Sequence, residues 1–163
     1  MEELFSFTAR AFGERRPAND ISSGDLSLES YAVFTRRLVE ESIAGGRDMA
    51  AVRAALRQDA LVFGERMRRQ FRVRSREDAL GLLEFAYKTM GIALDADAEG
   101  RITVSRCFFS RHYTPETCRV VAALDEGLMA GILGEGTLEF EERMTDGHSH
   151  CRAVFRDRAG RTS

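Results

Sequence analysis

The strongest constraint in this chain is one apolar stripe. Met49, Val52, Leu56, Ala60, Phe63, Met67 and Phe71 follow one another at steps of three or four, the repeat of one face of an α-helix. Arg, Asp, Glu and Gln fill the positions between them, suited to solvent. A helix with one dry face needs other elements to cover that face. The preceding segment offers one, because Leu28, Tyr31, Phe34 and Leu38 keep helical spacing until the Gly45-Gly46 pair, predicting a helix from about Leu28 to Ile43. A third helix opens at Ser75, where Asp78 stands as the reciprocal partner of a capping box, and it carries Leu80, Leu83, Tyr87 and Met90 inward. Met1 to Phe12 predicts a short helix, and Gly13 to Ser27, with Pro17, Asn19, Ser22, Ser23 and Gly24, reads as a loop.

After Gly91 the character changes. Ile102, Val104, Phe108 and Phe109 lie in a β-leaning segment. Thr114-Pro115-Glu116 then reads as an N-cap, a proline at the first helical position and an acid at the positive end of the helix dipole. That helix is expected to reach Leu133, ahead of Gly134 and Gly136. Strands from Thr137 to Arg143 and from Ser149 to Arg156 flank a hairpin turn at Asp146-Gly147, and a polar tail from Asp157 to Ser163 is expected to fray. The whole predicts a single α+β domain over residues 1–163. Residues 1–100 are mostly helical, and a strand–helix–hairpin block over 101–157 supplies a small antiparallel sheet.

Charge narrows the partners. Lys+Arg total 24 against Asp+Glu 26, a net charge of -2, so no basic excess points to nucleic acid. No apolar run approaches the ~20 residues of a membrane span, and Met1-Glu2-Glu3-Leu4-Phe5 lacks the basic start of a signal peptide. Three cysteines are too few for a secreted disulfide scaffold. A cytoplasmic protein is expected.

Chemistry concentrates in the second half. Asp95-Ala96-Asp97-Ala98-Glu99-Gly100 matches the first half of a calcium loop, but Arg106 stands where a bidentate glutamate has to close the cage, so the segment reads as an acidic turn. Cys118 falls in the first turn of its helix, where the dipole favours a thiolate. Cys118, Val121, Ala122, Asp125, Leu128, Met129 and Ile132 share helical spacing, which places Asp125 on the apolar face. A carboxylate there has to be paired, metal-bound or lining a cavity. Cys107 ends a strand and Cys151 lies on the last one. Cys107, Cys151 and Asp125 are therefore expected to converge between helix and sheet. Cys107, Cys118, His150 and Cys151 are candidate ligands for zinc or another divalent transition metal, and Arg106 suits a substrate carboxylate. Gly127 and Gly131, one turn apart, allow close approach of another helix or of a ligand.

The block resembles the L-2-amino-thiazoline-4-carboxylic acid hydrolase-like family. Val104-Ser105-Arg106-Cys107-Phe108 carry the resemblance, with Cys118 and Asp125, and with Phe140 through Arg143-Met144-Thr145-Asp146-Gly147 to Cys151 and Phe155. Gly147 follows Thr145 by two residues where the family pattern has three. The resemblance implies a hydrolase that opens a cyclic amidine such as 2-aminothiazoline-4-carboxylate to an N-carbamoyl-cysteine-type product. Cys107 or Cys151 would be the nucleophile or metal ligand, Asp125 the base or a ligand, and Arg106 the carboxylate anchor. The same block is similar to four-vinyl-reductase-type domains, which implies a non-catalytic pocket or sensor for a small hydrophobic molecule. Both imply a compact α+β domain with a pocket between helices and sheet, and a homodimer.

Overall fold

The computed structural model describes residues 1–14 and 27–157. Four helices come first: α1 (Glu2–Ala11), α2 (Leu28–Ala44), α3 (Met49–Gln70) and α4 (Arg76–Thr89). Strands β1 (Ile92–Ala96) and β2 (Arg101–Cys107) follow, then α5 (Pro115–Leu133) and strands β3 (Gly136–Glu142) and β4 (Cys151–Asp157). The predicted loop from Gly13 to Ser27 and the tail lie largely outside the described residues. No helix among the described residues is long and apolar enough to cross a membrane.

Local chemistry sets the helix starts. Ser27 accepts a hydrogen bond from the Ser30 amide and Asp48 accepts one from the Ala50 amide, each satisfying an otherwise orphaned donor. Ser75 and Asp78 form the reciprocal capping box the sequence predicts. Thr114 accepts from the Thr117 amide, and Pro115 occupies the first helical position.

The sheet is antiparallel in the order β1-β2-β4-β3. The fold class is therefore the expected α+β, with one strand more than the sequence reading. That strand is β1, a short edge whose side chains barely alternate in burial, so its identity comes from pairing with β2 rather than from its own pattern. It begins after Gly91, where φ is +68°, a value glycine adopts without strain. The hairpin of β3 and β4 is present, but it closes through a longer connection with a short helical turn at Met144–Asp146.

Sheet and helices share one buried cluster. Ile92, Ile102, Val104, Leu138, Ala153 and Phe155 from the strands meet Leu83 and Tyr87 of α4 and Leu128, Met129 and Ile132 of α5. A second cluster joins Phe12, Leu38, Val39, Val52, Leu56 and Leu124 among the helices. The closest seam is α3 against α5. A Cβ at Gly64 would stand 2.6 Å from the Leu128 carbonyl oxygen, and one at Gly131 would stand 2.7 Å from the Glu65 amide nitrogen. Gly127 and Gly131 thus serve helix packing, and the partner is the long amphipathic helix.

Candidate functional site

The stripe of α3 divides along its length. Val52, Leu56 and Ala60 are buried in the core, whereas Phe63 and Met67, one to two turns further on, form the wall of a cavity. Its volume is about 430 Å³. Exposed Met1, Glu3, Phe85 and Thr89 stand at its mouth, between the start of α1 and the outer face of α4. Tyr31, Phe109, Tyr113, Cys107 and the Cys118, Ala122 and Asp125 face of α5 enclose its inner end.

Asp125 is the one carboxylate at that inner end. Helical spacing puts it below Cys118 and Ala122, as the sequence predicts, and it looks into the cavity rather than to bulk water. Tyr87, buried at the cluster of α4 and the sheet, donates its hydroxyl to Asp125 Oδ1 at 2.8 Å. Burial pushes the Asp125 carboxyl up to about 6, against the Tyr87 hydrogen bond and the Arg143 charge, which both favour ionisation. Arg143 lies with its guanidinium 3.8 Å from the centroid of the Phe140 ring, and its Nη1 is 3.8 Å from Cys118 Sγ. It is not part of the cavity lining.

The chain has three tyrosines, and the charge of this carboxylate reaches all three. Tyr31 shares a 2.9 Å hydrogen bond with Thr8. The Tyr113 hydroxyl and Thr35 Oγ1 are buried close to each other, with no well-formed hydrogen bond to either among the described residues. Burial first, and then the negative charge of Asp125, pushes the Tyr87 hydroxyl well above the ordinary value. Burial likewise raises Tyr31 and Tyr113. All three remain protonated near neutrality, available as donors.

Sequence reasoning placed Tyr31 and Tyr87 in the core and did not single out Tyr113. The signal was there, in the scarcity of tyrosines and in Tyr87 sharing the apolar face of α4, but nothing in one sequence ties three distant tyrosines to one aspartate.

Cys107 and Cys118 line the cavity. Cys107 gets there through a β-bulge. Ala93 pairs with Arg106 and Leu94 with Val104, which leaves Ser105 as an extra residue in β2. Strict alternation from Ile102 and Val104 would aim residue 106 at the core. The bulge reverses the facing and aims residue 107 there instead. Arg106 is consequently exposed and does not line the cavity, so it is not placed as the expected carboxylate anchor. Burial, the largest influence, pushes the Cys107 thiol up to about 11. Such a thiol holds about a hundredth of the thiolate of an ordinary one at a given pH. The higher nucleophilicity of the rarer thiolate offsets part of that deficit. Mass-mapped alkylation with iodoacetamide at pH 7.5 is expected to modify Cys107 at least ten-fold more slowly than free cysteine. A rate equal to the free thiol would contradict the burial account.

Cys151 falls short of the expected convergence. It lies on the inner face with Ala153 and Phe155, but its sulfur accepts from the Met144 amide at 3.4 Å, and it does not line the cavity. Burial raises its thiol too. His150 points elsewhere, with Nε2 3.0 Å from Glu142 Oε2 and Nδ1 2.9 Å from Ser149 Oγ. Among the described residues no three His, Cys, Asp or Glu side chains are grouped to hold a metal ion. The set Cys107, Cys118, His150 and Cys151 is therefore not assembled, and the residues do not fit zinc. The acidic turn is likewise turned on itself, with Asp97 accepting from the Arg101 amide and Nε at 2.9 and 2.8 Å.

Fold and site together define an α+β domain with a deep, mainly apolar pocket ending on a carboxylate. No family model matches the chain, and no curated protein matches it significantly. Among solved structures it is similar to a trafficking protein particle complex subunit 3 from Naegleria fowleri, whose crystal structure is of the form covalently bound to palmitic acid. The TM-score is 0.51 at 14% identity, over 80% of this chain and 95% of that one. That likeness is one of fold.

Proposed function

We propose that this protein is a cytoplasmic binding or sensor domain for a small, mostly apolar molecule held in the cavity. The observation that carries the reading is the cavity itself. About 430 Å³ lies within the range of roughly 300–1,000 Å³ typical of small-molecule sites, and such sites combine apolar walls with a few placed polar groups. Phe63, Met67, Phe85, Val121 and Leu128 supply the wall, and the polar groups gather at the inner end. The neighbour that shares the fold holds a sixteen-carbon acyl chain, as palmitic acid, which supports an apolar guest for this architecture. Three free cysteines support a reducing compartment.

Mass spectrometry of organic extracts tests the reading. The purified protein is expected to release a bound apolar compound. Met67→Trp, which fills the wall from α3, is expected to reduce its recovery several-fold while the circular dichroism stays unchanged. Extracts free of any such compound, together with no binding of alkyl probes, would remove the reading. A homodimer is proposed with it, and sedimentation as an 18.3 kDa species would refute that part.

A second reading, hydrolysis of a cyclic amidine, draws support from Asp125. A carboxyl raised to about 6 suits a general base near neutrality. It would take the proton of a water attacking the amidine carbon, after which the ring carbon–sulfur bond breaks and the sulfur receives a proton. The exposed Arg106 and the raised Cys107 thiol leave that scheme without its expected anchor and nucleophile. Incubation with 2-aminothiazoline-4-carboxylate, with and without zinc, decides it: no N-carbamoyl-cysteine by mass spectrometry ends the reading.

A further inference from the structure

From the groups at the inner end of the cavity we infer that the ligand enters with a hydrogen-bond donor leading, an amine or a hydroxyl, and that a fatty carboxylate head is excluded. This rests on the cavity being a ligand site, and it goes further by assigning the chemistry of the buried end. Asp125 receives one hydrogen bond among the described residues, from Tyr87 to Oδ1. Its acceptor capacity is larger, since an ionised carboxylate has about four lone-pair sites. The cation that offsets its charge, Arg143, has its guanidinium 3.8 Å from the Phe140 ring centroid and does not line the cavity, so it compensates Asp125 in part without lying against a guest. Among the described residues that line it, the inner end thus offers an anion and no cation.

A guest carboxylate would have to share that largely apolar end with Asp125, and two carboxylates in one low-dielectric site do not both stay ionised. An amine or hydroxyl instead fills the open acceptor positions. The apolar walls then take an alkyl or aryl body. The covalent palmitate of the structural neighbour is a different solution in the same fold.

The test is calorimetric titration of the full chain at pH 7.5 with three probes of equal chain length: octylamine, octan-1-ol and octanoate. Octylamine is expected to bind at least ten-fold more tightly than octanoate, with octan-1-ol between them. In Asp125→Asn the gap is expected to close to less than three-fold, with octanoate gaining affinity. The wild-type order needs no variant and decides the matter if the variant does not fold. Three probes binding alike, or octanoate binding best, overturns the donor-head assignment while leaving the pocket. No binding of any probe overturns both.

Discussion

Gly127→Val is expected to lower the melting temperature by ~15 °C or to prevent folding, because α3 and α5 touch backbone to backbone at this point. A Cβ on Gly127 would fall 2.9 Å from Ala60 Cβ and 2.9 Å from the Leu61 nitrogen, and it would overlap the Arg57 carbonyl oxygen. Backbone cannot rotate away as a side chain can, so the helices have to separate and part of the seam is lost. Overpacking of a core costs about 1–3 kcal/mol and occasionally more. With the whole seam moved, about 4–5 kcal/mol is expected, and each 1 kcal/mol is worth roughly 2–4 °C at this size.

The control has the opposite sign. Gly81 lies in the exposed part of α4 with nothing within 4 Å of an added Cβ. Gly81→Ala is therefore expected to stabilise by about 0.5–1 kcal/mol through helix propensity. Thermal denaturation of both variants reads the contrast. Equal melting temperatures would mean that the seam is looser than this geometry.

The second large effect is a pH dependence of stability carried by Asp125. Its carboxyl titrates at about 6 in the folded protein against an ordinary 3.8. A folded value raised above the unfolded one means the native state binds the proton more tightly. The resulting stability is fully present below about 3.8 and is lost as pH rises through about 6. At 1.36 kcal/mol per unit, the loss is on the order of 3 kcal/mol.

Ion pairs away from this site, such as Arg101–Asp97, are present in wild type and variant alike, so the difference between wild type and Asp125→Asn isolates the effect. Urea unfolding at pH 4.5 and 7.5 is expected to show the variant gaining about 2 kcal/mol relative to wild type at the higher pH, since part of the loss is already complete at pH 4.5. A difference that stays flat across that range would show that Asp125 titrates as an ordinary aspartate.

Both effects depend on residues that were visible from the sequence. Helical periodicity alone put Asp125 on the dry face of α5 and Gly127 and Gly131 one turn apart. The polar cluster around Asp125 was not visible, since its members come from four separate elements. Arg106 is a different case: the residue type was legible as a possible carboxylate anchor, and its facing was not. One extra residue in β2, Ser105, set by pairing with β1, sends Arg106 outward and Cys107 inward.

What the sequence determined by itself is therefore what short-range physics dictates. Helix periods, caps and glycine stops are set by neighbours within about a turn, and the start of α4 and both ends of α5 follow from them. Only the tertiary structure decided which side chains meet. It paired β1 into the sheet, bulged β2, and turned the outer part of the α3 stripe from core into cavity wall. Those outcomes depend on contacts between residues far apart in the chain, and a period of 3.6 or 2 carries no record of what lies across the gap.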